Sequence, residues 1–327
     1  MNRRKTLLGL AALATSPRIS SAQPAAKVFR VGSLQGGTSE STLHLVKAFE
    51  DGLGELGYRV GQNIVIEYRF ADATLDRLPA LAAELVRLNV DAILTGTNQS
   101  TVAARNATTT IPIVMTLGND LVKAGLIASL ARPGGNLTGM SADTGEEFSG
   151  KKLQLLKEMV PKLTRVAILE PANFPANSGR RQSTLDAAPK LGLQVLPFVV
   201  NGPGDLEPAL EAIVKWRAQA LFVFIESMMF THRNQIGALA TRHRLPAIAD
   251  VKELAAAGLL MTYGVDLRDQ WRRAAGHVAK ILQGANPAEM PVEQPIKFEL
   301  VINGKTAKAL GIKLSQSMLI QANEVLE

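Results

Sequence analysis

The sequence predicts an α/β protein of two similar doubly wound lobes, each on a parallel sheet, joined by a multi-segment hinge. Three observations carry that prediction. From residue 30 onward, short β-branched runs alternate with segments of helical period. The alternation begins again near residue 165 in the same order. The chain has 327 residues, 46% of them apolar, enough for two domains with cores of their own.

In the first lobe the strands read "RVGSL" (30–34), "IVIEYRF" (64–70), "DAILTGT" (91–97) and "IPIVMTL" (111–117). Apolar runs without alternation suit parallel strands, which are buried on both faces. Between them lie "LHLVKAFEDGLGELG", "LDRLPALAAELVRL" and "STVAARNATT". Leu78, Leu81, Ala82, Leu85 and Leu88 recur at three-and-four spacing, the apolar face of a helix. Strand and helix in alternation build βαβ units.

The second lobe answers strand for strand. "RVAIL" (165–169), "LQVLPFVV" (193–200), "ALFVFIE" (220–226) and "LPAIADV" (245–251) follow the first four in order. The Arg30-Val31 and Arg165-Val166 pairs lie 135 positions apart, and Pro112 and Pro246 lie 134 apart. A repeat held in order and spacing is the mark of duplicated units. Between the lobes, Pro133-Gly134-Gly135 is expected to end a helix and let "NLTGMSADTGEEF" cross over. After "GLLMTYGVD" come an amphipathic helix, "LRDQWRRAAGHVAKILQG", a proline-spaced link and a last strand, "FELVIN". These are expected to return to each lobe in turn. The first lobe is then 28–140 with about 266–285, and the second 141–265 with about 295–327.

The N-terminus speaks to compartment. "MNRRKTLLGLAALATSPRISSA" has a basic start, a short apolar stretch and small residues ending at Ala22, the layout of a cleaved secretory signal over residues 1–22. Its apolar part is too short for a spanning helix. It carries Arg3, Arg4, Lys5 and Arg18 and no acid, so cleavage takes the formal charge from +7 to +3. No basic stripe interleaved with aromatics remains, which speaks against nucleic acid as a partner. The absence of cysteine excludes disulfides, thiolate metal sites and a cysteine nucleophile. A periplasmic location is expected.

In open α/β sheets, ligands bind outside the carboxyl ends of the strands. Those loops supply the candidate ligand contacts: Gln35, Thr38, Ser39, Thr97, Asn98, Asn119 and Asp120 from the first lobe, and Asn173, Asn177, Glu226, Asp250 and Asp266 from the second half. Phe174, Phe230 and Tyr263 are the aromatics placed to line a cleft, and Arg180 and Arg181 follow the asparagine-rich loop. Helix-end amides favour a carboxylate or phosphate, and a buried carboxylate opposite would take an ammonium. Neutral Thr, Asn and Gln groups orient a ligand without acid–base chemistry. The same residue types are the favoured helix N-caps, so each has a capping role to offer as well.

Catalytic motifs are thin. Gly304-Lys305-Thr306 lacks the P-loop's earlier glycine, since position 299 is Glu, and reads as a helix start. Gly139 and Ser141 are followed by Asp143 where a nucleophile elbow needs glycine. His44, His232, His243 and His277 show no metal-ligand spacing, and His44 and His243 read as solvated helix-face residues. Trp271 with Arg272 and Arg273 reads as one packed ring on a solvated basic face, ahead of a docking patch. No cofactor or metal is expected.

At "ELGYRVGQNIVIEYRFADATLDRLPALAAELVRLNVDAIL" the chain resembles the ABC-transporter substrate-binding proteins of Gram-negative bacteria, which share the type I periplasmic-binding-protein fold and include binders of tryptophan and tyrosine. The likeness continues through "TIPIVM", "SLARPGGNLTG", "SGKKLQLLKEMVP", "RHRLPAI" and "KFELVINGKTAKALG", essentially the whole mature chain. It departs at Asn173-Phe174-Pro175, where the family reads Asn-Pro, and at Gly304, where a bulkier residue is usual. The resemblance implies two lobes that close on a solute and deliver it to a membrane permease without chemistry. The mixed carboxylate, helix-end and aromatic lining points to a small polar ligand, an amino acid or aromatic carboxylate ahead of a sugar, and a monomer is expected. The alternative from another class is a secreted α/β hydrolase, marked by a nucleophile–base pair at the cleft.

Overall fold

The computed structural model describes residues 27–142, 147–172 and 179–327. The expected signal segment, 1–22, lies outside the described residues. The first sheet contains β1 (Phe29–Gln35), β2 (Ile64–Phe70), β3 (Ala92–Thr95), β4 (Ile113–Gly118) and β5 (Leu137–Ser141), with helices α1 (Ser39–Glu55), α2 (Leu78–Arg87) and α3 (Asn98–Ala107) between them. Its order is β2-β1-β3-β4-β5, parallel throughout.

The second half repeats that order. It holds α4 (Glu147–Met159), β6 (Arg165–Pro171), α5 (Gly179–Lys190), β7 (Gln194–Val200), α6 (Leu206–Lys215), β8 (Ala220–Val223), α7 (Ser227–Thr231), α8 (Arg233–Arg242), β9 (Ala247–Ala249), α9 (Lys252–Ala256) and β10 (Met261–Val265). The chain then makes α10 (Leu267–Leu282), β11 (Phe298–Asn303), α11 (Gly304–Leu310), α12 (Gln316–Gln321) and β12 (Glu324–Leu326). The sheet runs β7-β6-β8-β9-β10-β11-β12. Its first five strands are parallel in the order of the first lobe, and β11 adds on antiparallel.

Both sheets carry helices on both faces, because each strand is apolar on both sides. In the first lobe Leu78, Leu81, Leu85 and Ala104 cover one face with α2 and α3. The other face is covered by α1 and by α10, which returns from beyond the second lobe. These helices lie very close: a Cβ on Gly52 would sit 2.5 Å from the carbonyl oxygen of Arg272, so only glycine admits the crossing. In the second lobe Leu153, Leu156 and Leu193 pack one face, while Leu206, Leu210 and Ile236 pack the other.

Two details differ from the sequence expectation. No helix precedes Pro133 where one was expected; residues 121–125 form turns. "LTGMS", read as crossover, is β5: Gly139 adopts φ +126 with its backbone against Met115, a conformation only glycine tolerates and one that hid the strand. Residues near Glu293 then add to its outer edge, Ser141 N–H donating to Glu293 O at 2.8 Å. In the second sheet the edge strand β7 carries Pro197, which has no N–H to offer a passing strand.

Candidate functional site

In each sheet the order reverses between the first and third strands, so the loops leaving β1 and β3 and those leaving β6 and β8 splay apart at a switch point. The two switch points face each other. Between them lies a cleft of about 630 Å³ lined by Gln35, Thr97, Leu45, Phe230 and Trp271 among others. A second chamber of about 430 Å³ adjoins it, sharing Leu117, Asn119, Ile225 and Val251, and is walled by Phe148, Arg180, Asp250 and Tyr263.

The first chamber is mainly apolar. Trp271 is 3% exposed and Phe230 7%. Trp271 belongs to a stripe with Leu267, Ala274 and Val278 along α10, which turns its ring inward. Arg272 and Arg273 leave on the other side, to Glu55 and Glu293. Trp271 is the packed ring that the sequence leads one to expect, and the same ring also lines the cleft. Gln35, at the end of β1, is 2% exposed and donates to Ser33 Oγ at 3.0 Å. Thr97 starts α3 in a capping box with Ser100, and Gln99 Oε1 is buried without a hydrogen-bond partner among the described residues. Buried polar atoms of that kind carry a desolvation penalty that a ligand's polar group can relieve.

The second chamber is charged. Asp250 pairs with both Lys152 and Arg180. Burial alone would push the Asp250 carboxyl up, but the Arg180 and Lys152 cations outweigh it and hold the group below the usual carboxylate range. Lys152, 3% exposed, is pushed down by that burial against the pull of Asp250. Its ammonium also sits 4.9 Å over the Phe222 ring, and the Arg180 guanidinium 5.5 Å over Phe224. Phe148 stacks on Tyr263 at 4.7 Å. Glu226, half-buried where β8 leads into α7, lines the first chamber within reach of the Arg180 charge. Burial pushes its carboxyl up; a Gln99 hydrogen bond and the Arg180 charge pull it partly back.

Of the residues chosen from sequence, the structure gathers Gln35, Thr97, Asn119, Glu226 and Asp250 on the cleft walls. Others have local partners. Thr38 caps α1, accepting from Ser41 N–H at 3.1 Å, and Ser39 is exposed. Asn98 grips the Asn119 backbone at both ends, donating to its carbonyl at 2.6 Å and accepting from its N–H at 3.0 Å. Asp266 caps α10, accepting from Arg268 and Asp269 N–H at 2.9 and 3.2 Å. Asp120 accepts from Gly179 N–H, across the cleft, at 3.0 Å. Asn173, Asn177 and Phe174 lie outside the described residues. Trp271, Lys152 and Phe148 were missed. Only Trp271 left a signal, its spacing from Leu267, Ala274 and Val278.

Other features bear on what the site can do. Among the described residues no group of His, Asp and Glu is arranged to hold a metal ion, and no helix is long and apolar enough to cross a membrane. His44, expected on a solvated face, bonds Glu253 of the other lobe at 2.9 Å. No nucleophile–base pair stands among the hydrogen bonds of the described residues at the cleft.

Comparison with known proteins fits this geometry. The chain is 27% identical over 267 residues to a tyrosine-binding protein of Clostridioides difficile strain R20291, covering 82% of this chain and 76% of that protein. The structure of an ABC domain in complex with L-Trp from Streptococcus pneumonia is 23% identical, covers 91% of this chain and 99% of that one, and superposes with a TM-score of 0.82. The ligand-free, open structure of a substrate binding protein with adhesive properties from Clostridium difficile has the same identity and coverage but a TM-score of 0.66. Residues 37–326 match the ABC transporter substrate binding protein family, and the chain belongs to that family.

Proposed function

We propose that this protein is an extracytoplasmic binding protein for an amino acid with an aromatic side chain, which it holds between its lobes and hands unaltered to an ABC permease. One observation carries the ligand class: an apolar chamber walled by Trp271, Phe230 and Leu45, with Glu226 on its lining, adjoins a chamber holding Arg180. An aromatic side chain fits the first. The guanidinium of Arg180 suits a carboxylate, and Glu226, whose burial disfavours a lone charge, gains most from a neighbouring ammonium. The tyrosine-binding relative and the L-Trp complex support the same class.

Closure follows from the same geometry. The lobes touch around the cleft: His44 meets Glu253, Asp120 meets Gly179, and a Cβ on Gly36 would fall 2.4 Å from Ser227 Oγ. This is a closed arrangement, in keeping with the higher TM-score against the L-Trp complex. A ligand that bridges both walls binds the closed state more tightly and shifts the equilibrium toward it. The signal-like N-terminus supports export to the periplasm, where a monomer would act.

Calorimetry with L-tyrosine, L-tryptophan and L-phenylalanine tests this, alongside tyramine and 3-(4-hydroxyphenyl)propionate. Removing the carboxylate or the ammonium should each weaken binding by about tenfold or more, the worth of a charge-assisted hydrogen bond. If the propionate binds as tightly as tyrosine, the ligand is an aromatic carboxylate. Product formation would restore the hydrolase alternative.

A further inference from the structure

We infer that two contacts between the lobes, His44 with Glu253 and Asp120 with the N-terminus of α5, are latches that set how much of the protein is closed and so tune affinity without touching the ligand. The inference rests on the clamp reading above.

His44 projects from α1 of the first lobe and Glu253 from α9 of the second, His44 Nε2 lying 2.9 Å from Glu253 Oε1. An ionised carboxylate only accepts, so the imidazole donates. The Glu253 side chain is 12% exposed, and its other oxygen, Oε2, is buried without a partner among the described residues. Opening the cleft breaks this hydrogen bond and separates the two side chains. The His44 ring also stacks on Phe230, 6.3 Å between centroids, and Phe230 is a wall of the apolar chamber.

The second latch works on the charged chamber. Asp120 follows β4 in a left-handed conformation, φ +50, one that Asp tolerates better than most residues. Its Oδ2 accepts the N–H of Gly179, the first residue of α5 in the opposite lobe. A carboxylate at a helix N-terminus is stabilising, and this one is delivered only on closure. The next residue, Arg180, holds Asp250. Asp120 is thus a positioning residue, seating the helix that presents Arg180. Each latch adjoins one chamber: His44 lies beside Leu45, and Asp120 beside Asn119.

The chain has no cysteine, so a spin-label pair can be placed at will. Val102→Cys on α3 and Val214→Cys on α6 are exposed and lie in opposite lobes. Electron–electron distances between them, in ligand-free protein, report closure. Glu253→Ala and Asp120→Ala should each move the ligand-free distribution to longer distances. Each should raise the L-tyrosine dissociation rate by about 3- to 10-fold, leaving the ranking of amino acids unchanged. His44→Ala with Glu253→Ala should lose little more than either alone, as expected for one shared contact. Unchanged ligand-free distances and unchanged dissociation rates overturn the inference, and so does full additivity of the His44 and Glu253 losses. Should an alanine variant melt early, Glu253→Gln and Asp120→Asn give the same test in milder form. The ligand-free distances decide the latches whatever the ligand is, whereas a wild-type distance that neither L-tyrosine nor L-tryptophan shortens overturns the ligand assignment instead.

Discussion

Glu226→Gln keeps the shape of this side chain on the wall of the first chamber and removes its charge. In the protein, burial raises this carboxyl above its ordinary 4.5, with Asp250 pushing the same way and Gln99 and Arg180 opposing. An ammonium beside it supplies the stabilisation that burial takes away. A hydrogen bond to a charged group contributes about 1.5–3 kcal/mol. The variant should therefore bind tyrosine about 10- to 150-fold more weakly, each 1.4 kcal/mol being tenfold. The sign of the pH effect follows from the same shift. The ligand-free carboxyl is raised, and a bound ammonium lowers it again, so binding releases a proton. Wild-type affinity should rise with pH through the interval between the bound-state and ligand-free values, whose upper edge lies above 4.5, and then level off. The glutamine variant should be flat. Calorimetry across that range, in two buffers of different ionisation enthalpy, counts the protons directly. Wild-type affinity that ignores pH, or a variant that binds as tightly, would refute the pairing of Glu226 with an ammonium.

Three further outcomes are expected. The chain has two tryptophans, and Trp271 alone lines the cleft, so ligand should change emission in Trp216→Phe but not in Trp271→Phe. Asp250→Asn strands Lys152, 3% exposed, and should cost about 3–5 kcal/mol in denaturant unfolding; Lys152→Met in that background should restore much of it, and no recovery would contradict the three-residue account. Gly36→Ala places a methyl group 2.9 Å from Ser227 Cβ as well as against its Oγ, so it should prop the cleft open and weaken ligand binding, with Ser227→Gly rescuing affinity.

Much of the architecture was legible because burial leaves a periodic record. "IVIEYRF" is β2 and "FELVIN" is β11, residue for residue. β5 was obscured, since Gly139 and a nearby Pro-Gly-Gly imitate a linker while the strand's pairing comes from β4 and from residues near 293. The site was harder. Asp, Asn, Ser and Thr at strand ends serve either as caps or as ligand contacts, and the choice depends on which N–H groups lie within reach. Thr38 and Asp266 found helix amides, whereas Gln35 and Asn119 line the cleft.

By itself the sequence determined the two lobes, the succession of most strands along the chain, and the family, for these rest on local periodicity, on an internal repeat and on motifs read along the chain. Tertiary structure alone decided which charges meet. Lys152, Arg180 and Asp250 come from three separate stretches of chain, and Trp271 reaches the cleft from a helix that returns to the first lobe before β11 and β12 complete the second sheet. Pairings over such separations are set by how sheets and helices pack, a property of the whole chain that no short stretch encodes.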